Sequence, residues 1–99
     1  MTDFSGMMGP FQAQMKALQE KAEAEVVEGA AGGGRVRVRM NGAQVVQSVT
    51  IDPSTMADRE LLEDLLVAAT NDASRRSKEA VGRHMAAMAQ AMGLPPGMF

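Results

Sequence analysis

Arg35-Val36-Arg37-Val38-Arg39-Met40 alternates a cation with an apolar side chain at every step, and Asn41-Gly42 follows at once. A period of two suits a half-buried strand and no helix. Asn-Gly is the favoured two-residue type I′ turn, so Ala43 to Ile51 is expected to return as the second strand of a hairpin. That loop length pairs Met40 with Ala43, Val38 with Val45 and Val36 with Gln47. One face then collects Val36, Val38, Met40, Val45, Val49 and Ile51, and the other presents Arg35, Arg37 and Arg39. Val46 falls on the basic face in this register, opposite Arg37, whose aliphatic stem covers it.

An apolar sheet face has to be covered, and helical patterns lie on both sides of the hairpin. Met8, Phe11, Met15, Leu18 and Ala22 recur at alternating steps of three and four, with solvated residues between them, which predicts a helix from about Pro10 to Glu23. Glu25 to Glu28 reads as a short strand and Gly29 to Gly34 as a flexible loop. After the Asp52-Pro53-Ser54 turn, Thr55 or Asp58 is placed to cap a long helix whose early acids suit its positive end. Leu62, Leu66, Ala69, Ala73 and Ala80 form one stripe, and Val81, Met85, Met88 and Met92 continue it. Gly82 leaves open whether this is one helix or two. Leu94-Pro95-Pro96-Gly97-Met98-Phe99 stops it, so the chain reads as one domain over 1–99 with tails at 1–7 and 93–99.

The elements expected are therefore an N-terminal helix, a short strand, a β-hairpin and a long C-terminal helix or two helices. Their core is thin. Apolar residues make up 45% of the chain, but 16 are Ala and 10 are Met, leaving 19 Val, Ile, Leu and Phe among 99 residues. A second copy is the expected remedy, since cysteine is absent and disulfides cannot help. Cys-based zinc sites and thiol nucleophiles are excluded with it. No apolar run reaches the roughly 20 residues of a membrane span, and no signal peptide is recognisable, so a cytoplasmic protein with no membrane partner is expected. His84 has no second His or Cys for a metal, and Glu63 and Asp64, adjacent on a helix, diverge by about 100°. No enzyme, metal, cofactor or small-molecule substrate is expected.

The Met- and Gln-rich first helix with Met15 and Gln19 is followed by the Gly-rich segment and Asn41-Gly42-Ala43. Then come Val49-Thr50-Ile51-Asp52-Pro53-Ser54, Leu62-Glu63-Asp64-Leu65, Ala68-Ala69, Asn71-Asp72-Ala73 and Leu94-Pro95-Pro96-Gly97. In this order and at these spacings the chain resembles the YbaB/EbfC family of bacterial nucleoid-associated DNA-binding proteins over nearly all its length. The resemblance implies an α+β fold, with an N-terminal helix, a three-stranded antiparallel sheet with a central β-hairpin and a long C-terminal helix or two helices, in an intertwined homodimer with projecting helical arms. It also implies low-specificity binding of double-stranded DNA, with bending or compaction that modulates expression or supports recombination and repair, and a place at the nucleoid.

The net charge of −2 opposes long-range attraction to a polyanion. Binding has to use local patches. Arg35, Arg37 and Arg39 stand roughly 6.6 Å apart along a strand face, a spacing suited to successive phosphates, or else form a solvated face paired with Glu25, Glu28 or the acids of a second copy. Arg75, Arg76, Lys78 and Arg83 cover a broad sector of the long helix; alone they read as cations stabilising its negative end, and the resemblance turns the reading towards DNA contact. Lys16 and Lys21 are further candidates. Aromatic platforms for single strands and base-reading motifs are missing, so low sequence specificity is expected. A different class of function is also open: a protein-interaction scaffold whose Met-lined arms recruit another protein.

Overall fold

The computed structural model describes residues 4–93, and of residues 4–9 and 11 only the backbone. Helix α1 (Phe4–Ala24) leads into strands β1 (Val26–Ala31), β2 (Val36–Asn41) and β3 (Val46–Ile51). A 3₁₀ segment at Pro53–Ala57 then precedes helix α2 (Arg59–Ala91). The strands form one antiparallel sheet in the order β1-β2-β3. The expected α+β architecture is present.

Helix α1 begins at Phe4 rather than Pro10, and Pro10 lies inside it instead of in its first turn. Phe4 to Met7, expected in a tail, are thus helical; residues 1–3 and 94–99 lie outside the described residues. So do the side chains of Met8 and Phe11, the first two seam positions.

The sequence divided β1 from the next loop too early. The strand runs on through Gly29, Ala30 and Ala31, and the loop shrinks to Gly32-Gly33-Gly34 and Arg35. Packing explains the difference. A Cβ on Gly29 would come within 2.2 Å of the Ala73 amide nitrogen and 2.4 Å of the Ala69 carbonyl oxygen. Gly29 is in the strand because α2 passes directly over it, and no side chain fits between. The three remaining glycines carry φ of 64°, 69° and 90°, a left-handed run that residues with a Cβ rarely adopt.

The hairpin exists, but its turn is longer than two residues. Val38 pairs with Val49 and Val36 with Ile51, while the register shifts between Arg39 and Met40 so that Met40 faces Val46. Asn41 closes the loop itself: its Oδ1 accepts from the N–H groups of Ala43 (2.9 Å) and Val45 (3.0 Å), and its own N–H donates to the Val45 carbonyl (3.1 Å). That side-chain closure replaces the type I′ geometry. The left-handed residue is Gln44, φ 63°, and its side-chain amide donates to Ser74 Oγ on α2 at 3.0 Å. The bulge moves Val46 onto the apolar face and leaves Val45 in the loop, which removes the need for Arg37 to cover a misplaced valine.

Val36, Val38 and Met40 are buried against Ala69 and Ala73, with Val27, Ala31, Leu62, Leu65 and Leu66 packed around them. Helix α2 crosses β1 and β2 and scarcely reaches β3. It runs unbroken through Gly82 for 33 residues, about 50 Å at 1.5 Å per residue. Asp58, one of the two expected caps, accepts from the Leu61 N–H at 3.1 Å; Thr55, the other, is buried in the 3₁₀ segment. Gly93, φ 77°, ends α2 by donating to the Gln90 carbonyl.

Two glycine substitutions separate these roles. Gly29→Ala should cost about 3 kcal/mol or more in urea denaturation, because the methyl group meets backbone that cannot move alone. Gly82→Ala, with nothing within 4 Å of the new Cβ, should stabilise by about 0.5–1 kcal/mol.

Candidate nucleic-acid interface

Strand β2 buries one set of alternate side chains under α2 and turns Arg37 and Arg39 to the opposite, exposed face. Their cross-strand neighbours there are Thr50 and Ser48 on β3, and Ala30 and Glu28 on β1. Arg35 lies just outside the strand, and its Nε donates to the Gly32 carbonyl at 2.8 Å. Asp52 is nearby. Its carboxyl is held below the ordinary 3.8 chiefly by the backbone N–H of Ser54, with a smaller contribution from the Arg35 guanidinium. The expected three-membered ladder is thus two outward arginines and one folded back on its own turn.

On α2, Arg75, Arg76, Lys78 and Arg83 are all exposed. Asp72 binds two of them: its Oδ1 pairs with Arg75, its Oδ2 with Arg76 Nε at 3.2 Å. Glu79 holds Arg75 from the other side at 3.1 Å. Asp72 Oδ2 also accepts the backbone N–H of Ala30 at 3.0 Å, tying α2 to the outer edge of β1. That backbone bond is the largest cause of an Asp72 pKa below its ordinary 3.8; burial opposes it, and Arg76 and Arg75 add to the lowering. In turn the Asp72 and Glu79 carboxylates raise the pKa of Arg75. Arg76 and Arg83, seven residues apart, line one open pocket of about 240 Å³ with Glu79, Val27 and Glu28. Lys78 does not line it.

Lys16 and Lys21 are exposed on α1, well separated in sequence from either group, and Lys21 borders the cleft between α1 and α2. Among the described residues, Arg35, Arg37, Arg39, Lys16, Lys21, Lys78 and Arg83 have no carboxylate within 4.0 Å. Glu25 was a candidate partner for the strand arginines. It lies instead 2.6 Å from His84 Nε2, so α2 meets the start of β1 there.

Three contributors were not singled out from the sequence. Asp72 stands four residues before Arg76, an ion-pair spacing on a helix, but its hold on Ala30 needs the strand edge to be known. Ser77 is fully buried and donates to the Asn41 carbonyl at 2.8 Å; its position between Ala73 and Ala80 on the apolar stripe was the available signal. Gln44 had none, because only the observed loop gives it a partner. No group of three metal-ligating side chains occurs among the described residues, and none of their helices is long and apolar enough to cross a membrane.

The model of the YbaB/EbfC DNA-binding family matches residues 1–92. A nucleoid-associated protein of Nitrobacter hamburgensis is 46% identical over 103 aligned positions, covering 99% of this chain and 97% of the relative. A second from Bradyrhizobium diazoefficiens is 45% identical, covering 100% and 98%. The crystal structure of an uncharacterized protein from Helicobacter pylori is similar in fold, with a TM-score of 0.61 and 27% identity over 74% of this chain and 87% of that one.

The Asp72 contacts give a pH signature. A carboxyl whose folded pKa is depressed stabilises the fold above its unfolded value, and that contribution is lost as pH falls through the folded pKa. Asp72→Asn should therefore destabilise by about 1 kcal/mol at neutral pH. Its difference from the parent protein in denaturant midpoint should close on acidification below about pH 4.

Proposed function

Since the chain belongs to the YbaB/EbfC DNA-binding family, we propose that it is a nucleoid-associated protein that binds duplex DNA as a homodimer with low sequence specificity. On this reading it bends or compacts the duplex, modulates expression or supports recombination and repair, and resides at the nucleoid in the cytoplasm. The family is a DNA-binding one and not an enzyme family. The observation that carries the proposal is the exposure of every cation on β2 and α2, most of them without a carboxylate partner, in a chain whose net charge is negative. Such cations suit phosphate contact, and the absence of a base-reading motif suits indifference to sequence. Arg37, Arg39, Arg76 and Arg83 are the first contacts proposed, Arg75 and Lys78 the next, and Arg35, Lys16 and Lys21 secondary ones. The whole domain, 1–99, acts as one unit.

What α2 leaves uncovered supports the dimer. Val46 and Val49 lie on the same face as the buried Met40 and Val38, yet are 44% and 45% exposed. Met56, just beyond the strand, is 64% exposed. Strand β3 is also an edge, with one neighbour. An apolar strip continuous with the core and bordered by open backbone favours a second copy of the same strand, which extends the sheet and covers the valines. It also supplies the core that the composition lacks.

A scaffold reading has one observation in its favour, an apolar cleft between the helices lined by Met15, Leu18, Met85 and Met88. Met88→Lys tests it: on the scaffold reading this change abolishes capture of a protein partner without loss of duplex affinity.

Anisotropy of a labelled random-sequence duplex, stepped from about 50 to 200 mM salt, tests the main reading. Affinity should fall steeply with salt for any sequence, and Arg75→Glu with Arg76→Glu should weaken it about tenfold or more while lowering the salt slope by about two. No binding at the lowest salt would remove the DNA reading. Val49→Asp should halve the mass measured by light scattering; a persistent dimer would move the interface away from β3.

A further inference from the structure

Two cationic groups some forty residues apart in sequence meet at one strand edge. Glu28 is common to both. The register sets it directly opposite Arg39 on the outward face of the sheet, where paired residues on neighbouring strands lie about 5 Å apart. The same Glu28 lines the open pocket formed by Arg76, Glu79 and Arg83 on α2. The hydrogen bond from Ala30 to Asp72 fixes α2 along this edge, and Ala30 is the cross-strand neighbour of Arg37. Sheet face and helix flank therefore adjoin over β1, with an exposed carboxylate at the join.

We infer that Arg37, Arg39, Arg76 and Arg83 form one phosphate-binding band across the β1 edge, and that Glu28 at its centre limits the band's affinity. The inference rests on the DNA-binding reading and deepens it, replacing two separate patches with a single track. Glu28, opposite Arg39 and on the pocket lining shared with Arg76 and Arg83, makes no ion pair within 4.0 Å with any of them, and its charge offsets part of their mutual repulsion across the open edge. An approaching phosphate backbone has to compete with that carboxylate for the same cations and is repelled by it. Glu79, on the same pocket, acts in the same direction through Arg75. Exposed charges that are close but not paired interact weakly, so the acids lower affinity without closing the band. The result is binding that stays reversible along a chromosome.

Glu28→Gln should tighten binding of a random-sequence duplex on the order of fivefold at about 100 mM salt, the scale of one nearby charge in a screened medium. Glu79→Gln should shift it the same way and offers a second route if one variant folds poorly. Glu60→Gln removes the same charge at the far end of α2 and should leave affinity unchanged. A duplex of about ten base pairs, one helical turn, should lose affinity with either Arg39→Glu or Arg83→Glu, since a single track engages both at once. If Glu28→Gln and Glu60→Gln act equally, or the short duplex ignores either arginine change, the band is overturned while DNA binding stands. If the parent protein binds no duplex at about 50 mM salt, both the band and the reading beneath it fall.

Discussion

The close approach of α2 to β1 is the constraint on which the rest of this structure depends. A helix of 33 residues carrying few large apolar side chains has little to bury, and it compensates by lying against the strand at backbone distance. Gly29 supplies the gap, and Ala69 and Ala73 supply a helix surface without projections. Dispersion between closely packed small groups takes the place of large interdigitating side chains. The cost is tolerance: no residue larger than glycine fits at position 29. The same contact positions the acidic and basic residues of α2 at the β1 edge, so a packing decision in the core fixes the layout of charge on the surface.

A second junction sets the direction of the helical arms. The hairpin loop rests between the end of α1 and the middle of α2. Gly42 donates to the Glu23 carbonyl at 3.0 Å, and a Cβ there would meet the Ala22 carbonyl at 2.1 Å. Gln44 and Ser77 bond across to α2 and to the loop, respectively, and Glu25 reaches His84. Beyond this point α1 touches little except α2, and the protein extends to 70 × 25 × 14 Å. Most of these contacts are polar and several involve backbone atoms, so the geometry of the loop is transmitted to both helices. The strained φ of Gln44 is held by its bond to Ser74.

What was legible in the sequence is what local periodicity encodes. The alternation of Arg35 to Met40 gave the strand and its two faces, and the alanine stripe gave the buried side of α2. Errors fell where a tertiary contact overrides a local signal. Asn41-Gly42 reads as a two-residue turn because glycine tolerates left-handed backbone, yet Gly42 is needed for its lack of a side chain beside α1, and the left-handed residue is Gln44. Gly29 reads as loop for the same reason and is strand. The basic residues were visible individually. Their arrangement was not, because the register of β1 against β2 and the path of α2 over that pair decide which cations adjoin and which acids lie between them.

An acidic chain in a DNA-binding family raises a question that net charge alone answers wrongly. With a Debye length of about 8 Å at physiological ionic strength, a phosphate backbone senses the nearest few side chains far more than the total. In this fold Asp58, Glu60 and Glu63 lie at the start of α2, where they favour the helix dipole, whereas Arg76 and Arg83 lie further along it beside the sheet. Separation along a 50 Å helix is several screening lengths. The acids at one end therefore favour the helix start, and the acids that lie with Arg76 and Arg83 at the other are Glu28, Asp72 and Glu79. Local placement, set by the α2–β1 contact, is what allows a negative protein to present a positive edge.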